Sequence, residues 1–94
     1  MERTIPLKIL TPDQLFFSGD VTMVVVPELS GEEGYLPEHM PILKMLVPGD
    51  AKIYTGKNEY RVLRIDGGHL TVADEIQIFT PKAVWEDDRE AQNA

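Results

Sequence analysis

Through most of the chain, apolar and polar positions alternate with a period of two. Ile5, Leu7 and Ile9 alternate with Pro6 and Lys8, the pattern of a half-buried strand. Pro6 has no amide for a ladder bond, so this strand is expected to start at a sheet edge. Thr11-Pro12-Asp13-Gln14 reads as a turn, and Leu15 to Gly19 as a second short strand ending in a bulge or bend at Gly19. Val21 to Val26 is the most β-branched run, apolar at successive positions, and Pro27 is expected to end it. Ile42 to Val47 is a further apolar run, broken only by Lys44. Pro48-Gly49-Asp50 reads as a turn, with Gly49 free to take positive φ.

Ala51 to Thr55 alternates up to Gly56-Lys57-Asn58, a hairpin signal. Tyr60 and Val62 share one face and Leu63 and Ile65 the other. This phase slip predicts a bulge or a strand covered on both sides. Asp66-Gly67-Gly68 reads as another tight turn. His69 to Val72 and Glu75 to Phe79 then alternate around Ala73-Asp74. The sum is an all-β chain, an antiparallel β-sandwich of about nine to ten short strands. The domain is expected over residues 1–85. The segment 86–94 holds four acids and one basic residue and is expected as a tail or a first helical turn.

Gly31-Glu32-Glu33-Gly34-Tyr35-Leu36-Pro37-Glu38-His39-Met40-Pro41 interrupts this regularity. Two glycines and two prolines in eleven positions argue against a helix or a regular central strand. The stretch is expected to form a rigid loop presenting groups on a strand scaffold. Glu32, Glu33, Glu38 and His39 are its titratable side chains. Tyr35, Leu36 and Met40 are candidates for apolar contact area, or for closing the end of the sandwich.

Charge sharpens this picture. The net charge is −7, and no Lys or Arg occurs between Lys8 and Lys44, an interval with Asp13, Asp20, Glu28, Glu32, Glu33 and Glu38. Such a surface repels nucleic acid and anionic lipid and favours a basic protein partner. Ninety-four residues make one domain without room for a second core. No Cys is present, so neither disulfides nor thiolate chemistry enter. No signal-peptide pattern and no apolar run long enough to span a bilayer are visible, so a soluble chain is expected, with no direct membrane insertion.

Candidate chemistry is scarce. His39 and His69 lie on unrelated segments, and His39 with Glu33 and Glu38 is a weak basis for a metal site. Ser18 and Ser30 lack a nucleophile-elbow context. Gly56-Lys57 lacks the remainder of a phosphate-binding loop. Lys52, Arg61 and Arg64 are the basic residues that an oligonucleotide-binding strand surface would use, and solvated outer faces account for them. No catalytic residue, metal or cofactor is expected.

The loop also carries a resemblance. Gly34-Tyr35-Leu36-Pro37-Glu38-His39-Met40-Pro41-Ile42-Leu43 resembles the Gly, hydrophobic pair, Pro-x-His-x-Pro segment of the epsilon subunit of F-type ATP synthases. Phe17-Ser18-Gly19, Leu46-Val47-Pro48-Gly49 and Gly67-Gly68-His69-Leu70-x-Val72 resemble three further pieces of that family, in the same order. The resemblance covers about residues 5–85. It implies a ten-stranded sandwich, a non-catalytic rotor part packed on the gamma subunit and on the ring of membrane c subunits. It implies further that the domain passes torque between ring and catalytic head, at the cytoplasmic face of a cell membrane or the equivalent face of an organelle. Glu32 matches the family's acidic residue near the basic loops of the ring, and His39 its loop histidine.

The family usually continues into an inhibitory two-helix hairpin, which in some members binds ATP. Its ATP-linked motif has no clean match in Glu86-Asp87-Asp88-Arg89, so the resemblance is not extended to inhibition or ATP binding. The alternative reading is a stand-alone β-sandwich that binds a ligand in a concave pocket with convergent polar groups.

Overall fold

The computed structural model describes residues 3–36 and 41–86. Eight strands follow one another: β1 (Ile5–Thr11), β2 (Gln14–Val21), β3 (Met23–Glu28), β4 (Gly31–Tyr35), β5 (Ile42–Tyr54), β6 (Tyr60–Val72), β7 (Ile76–Phe79) and β8 (Ala83–Trp85). Hydrogen bonding links them in the order β2-β1-β7-β6-β5-β3-β4, with β8 added to β6. Pairing is antiparallel except between β1 and β7, which run parallel. No hairpin joins β1 to β7, so nothing forces their directions to oppose.

The sandwich arises because β5 and β6 are long and bent. The two segments expected as turns, Pro48-Gly49-Asp50 and Asp66-Gly67-Gly68, lie inside these strands and face each other in register, Pro48 opposite Asp66 and Leu46 opposite Gly68. Gly67 and Gly68 take φ of 84° and 117°, a region closed to most side chains. β6 therefore changes direction at Gly67-Gly68, β5 follows it through the facing residues, and both strands serve both layers. Five strands make up one layer, β4-β3, the second half of β5, the first half of β6, and β8. Five make up the other: the first half of β5, the second half of β6, then β7-β1-β2. Eight chain segments thus supply ten layer positions.

Gly49 is not a turn residue. It stands beside β3, where a Cβ at its position would lie 2.9 Å from the Cβ of Pro27. Pro27 does not end its strand either. It is buried and pairs with Glu32. Pro6 behaves as expected, since β1 meets β7 only from Leu7 onward and has a single neighbour at Pro6.

The core lies between the layers. Rows of inward side chains run across the strands, among them Leu70–Ile78–Ile9, all fully buried. Each such side chain contributes about 1.5–3 kcal/mol relative to exposure. The phase slip at Tyr60–Ile65 is not a bulge. Pairing of β6 with β5 runs through it without a shift, Leu63 and Ile65 face the core, and Tyr60 is exposed. The bulge expected near Gly19 lies earlier. Ile9 pairs with Phe17 and Leu10 with Leu15, leaving Phe16 as the extra residue. The bulge lets two consecutive aromatic side chains reach one partner, and both Phe16 and Phe17 contact Trp85 with ring centroids 5.7 Å apart. Arg61 stacks on Trp85 with its guanidinium carbon 3.9 Å from the ring centroid. These groups join β2 to β8 and seal one side of the sandwich.

Candidate functional site

The other side of the sandwich is formed by β4 and the first half of β5, and it holds the Gly31–Pro41 segment. Its opening residues are not a loop. Gly31 to Tyr35 form the edge strand β4, paired with β3 from Glu28–Gly31 to Val24–Tyr35. An edge position tolerates the two glycines because only one ladder must be maintained. The hairpin turns at Leu29-Ser30, and Leu29 is 93% exposed at its tip. Gly31 follows with φ of 118°, which admits the sharp return of the chain. Pro37, Glu38, His39 and Met40 lie outside the described residues.

Tyr35 anchors this hairpin. Its ring is 1% exposed and packs in the core, and its hydroxyl donates to Glu28 Oε2 at 2.6 Å. Burial raises the phenol's pKa well above its ordinary value; the hydrogen bond to Glu28 and the charges of Glu28 and Glu33 add to the shift. Tyr35 therefore closes the sandwich end and offers no exposed contact area, the second of the two roles open to it from sequence. Leu36 is half exposed and does present apolar surface.

Glu32 and Glu33 are both exposed but do not form one patch. As neighbours on a strand they point to opposite faces. Glu33 lies on the side of Tyr35 and Glu28, whereas Glu32 lies on the outer face opposite Pro27. Glu32 is thus the acid that projects from the flank of the sandwich.

The first half of β5 holds surface that the apolar run concealed. Leu43 and Met45 are 63% and 70% exposed, alternating with half-buried Ile42 and Lys44 and buried Leu46. Met45 stands in register with His69, and His69 with Phe79, whose ring it stacks on at 4.8 Å. His69 is therefore mid-strand rather than at a strand start. A groove of about 450 Å³ continues from this row, lined by Leu10, Pro12, Gly68, His69, Phe79 and Pro81 among others. Its two hydroxyls are already engaged, Thr11 with the carbonyl of Gln14 and Thr80 with that of Lys82. Such a wall lacks the convergent polar groups of a small-molecule site. Among the described residues no three potential metal ligands gather.

The basic residues are dispersed. Arg64 pairs with Asp50 at 3.6 Å, Lys52 lies over Tyr60, and Arg61 is committed to Trp85 on the opposite face of β6. They do not build a common strand surface.

Two five-stranded layers joined by a bent hairpin, with an acidic edge hairpin and an adjoining apolar edge, define a small β-sandwich domain whose exposed features suit protein contact. The chain belongs to the ATP synthase delta/epsilon chain beta-sandwich domain family, which it matches over residues 4–86. It is 30% identical over 95 residues to the ATP synthase epsilon chain of Clostridium novyi, covering all of this chain and 72% of the relative. To the epsilon chain of Alkalihalophilus pseudofirmus it is 37% identical over 81 residues, covering 85% of this chain and 60% of that one. The chain spans half to under three-quarters of such relatives.

Among solved structures, a chain of the Euglena gracilis mitochondrial ATP synthase OSCP/F1/c-ring assembly superposes with a TM-score of 0.81 at 23% identity, over 96% of this chain and 61% of that one. A chain of the Tetrahymena thermophila mitochondrial ATP synthase central stalk and c-ring gives 0.74 at 17% identity, over 88% and 67%. These likenesses establish the shared fold.

Proposed function

We propose that this chain is an epsilon-type rotor subunit of a rotary F-type ATP synthase, a non-catalytic part that couples a membrane c ring to a gamma subunit. The family match over nearly the whole described domain carries this reading. The relatives are named ATP synthase epsilon chain, and one structural neighbour comes from a central stalk and c-ring assembly. Membrane association then comes through the complex, at the cytoplasmic face or its organellar equivalent.

Glu32 and Leu36, with Glu33, Glu38, His39 and Met40, make up the proposed contact region for the ring and for gamma. Glu32 supports a basic partner best, because it is exposed on the outer face opposite Pro27 and retains its hydration until a partner arrives. Mixing the purified chain with gamma and sizing the product tests the proposal. A stable complex at micromolar concentration is the expected result, and separate elution of the two chains refutes it.

A further inference from the structure

The free backbone edge of β5 at residues 42–46 is the feature that the docking region leaves unused. Among the described residues, β6 pairs with one edge of this segment and no strand pairs with the other. Unpaired strand edges are templates for another chain. Pro41 and Pro48 flank the segment, and neither has an amide to continue a ladder. The open edge is therefore about five residues long.

Lys44 decides what can occupy it. Its register partner is the fully buried Leu70, so the lysine heads the inward row that continues through Ile78 and Ile9. Lys44 is itself half-buried on this outermost strand of its layer, the placement in which a lysine stem covers apolar surface and its ammonium stays in water. No carboxylate among the described residues forms an ion pair with it. A second copy of the chain is a poor occupant. Two-fold antiparallel pairing along so short an edge sets one Lys44 on or beside the other, between two molecules of net charge −7 each.

We infer that the 42–46 edge of β5 accepts an extended segment of a protein partner as an added strand, with a carboxylate opposite Lys44 and apolar, β-branched side chains covering Leu43 and Met45. The carboxylate satisfies the one charge that protects this edge against self-pairing. The apolar side chains extend the outer-face row formed by exposed Met45 and half-buried His69 and Phe79. The same chain thus presents two complementary surfaces, an acid for a basic partner at Glu32 and a cation for an acidic strand at Lys44. This inference rests on the docking reading above, but its test needs neither gamma nor a ring.

The test uses the whole chain and two blocked seven-residue peptides of alternating Val and Thr, one with a central Glu and one with a central Lys. Amide chemical shifts and hydrogen exchange are followed during titration. The Glu peptide is expected to protect amides within 42–46 and to bind about 5–10-fold more tightly than the Lys peptide, with Lys44→Glu reversing the preference. Equal binding of both peptides overturns the inference, as do protection confined to β4 and self-association through the same edge. A chain that fails to bind gamma but shows the peptide preference leaves this inference standing and removes the rotor reading.

Discussion

The two lateral sides of the sandwich solve the same geometric problem in opposite ways. On one, β2 and β8 approach and the opening is filled by Phe16, Phe17 and Trp85, with Arg61 laid over the indole. On the other, among the described residues, β4 and the first half of β5 leave a free edge, two exposed apolar side chains and an exposed acid. Rings in contact stabilise beyond the area they bury, by about 0.5–1.5 kcal/mol per pair. Exposed Leu43 and Met45 stabilise nothing until something covers them. The sealed side serves the fold, and the open side is the one proposed above for assembly.

The largest expected effect comes from removing the bend on which both sides depend. At Gly68, φ is 117° and an added Cβ would meet the carbonyl oxygen of Phe79 at 1.9 Å. Gly68→Ala is expected to lose more than about 3 kcal/mol of stability, seen as loss of a cooperative urea transition near neutral pH. Trp85→Ala comes next, at about 2–3 kcal/mol because the ring is half buried. If the two sides are independent, the folded fraction of that variant binds gamma as the parent does. A loss of binding in proportion to stability merges the two sides into one.

Tyr35→Phe probes the anchor of the open side. It removes one partly buried hydrogen bond to Glu28 and is expected to lower stability by about 1 kcal/mol in urea titrations at pH 7. Its pH dependence has a definite sign. The folded phenol titrates above the ordinary value near 10, so its contribution is complete below that pH and declines as the unfolded chain ionises above it. Stability of the parent should therefore fall more steeply above pH 10 than that of Tyr35→Phe. Parallel curves would show that Tyr35 is not the group responsible. The smallest effect on the fold belongs to Glu32→Lys, within about 0.5 kcal/mol, since the side chain is exposed. This variant should weaken assembly with the ring, whereas a large fall in melting temperature would make Glu32 structural.

The alternation of residues 5–9, 51–55 and 69–79 is local, and it places strands where the structure has them. The glycine and proline pairs are ambiguous in sequence because turn chemistry is local and strand bending is not. Pro48-Gly49-Asp50 and Asp66-Gly67-Gly68 have turn composition. Their meaning as corners comes from lying opposite each other, a contact between positions far apart in the chain. One signal was available: Pro48 and Asp66 are equidistant from Lys57, at the centre of the one clear hairpin loop. In the candidate site, the acidity of Glu32 was visible from sequence. The burial of Tyr35 was not, because a tyrosine beside glycines fits a loop as well as a strand. Leu43 and Met45 were hidden in a continuous apolar run, which does not distinguish a strand covered on both faces from one with an open face.

The continuous β5–β6 hairpin also bears on how the domain carries mechanical load. In sandwiches joined only by loops, lateral force on one layer reaches the other through side-chain packing, which can slip. Here two adjacent strands run unbroken from layer to layer, bridged by hydrogen bonds on both sides of the corner. A push on β4 passes into β3, then into β5, and follows covalent backbone around the bend to the opposite layer. The layers resist shear as a folded plate does, since covalent backbone crosses the crease twice. For a part proposed to sit between a turning ring and a shaft, stiffness of this kind limits how much rotation is lost as deformation.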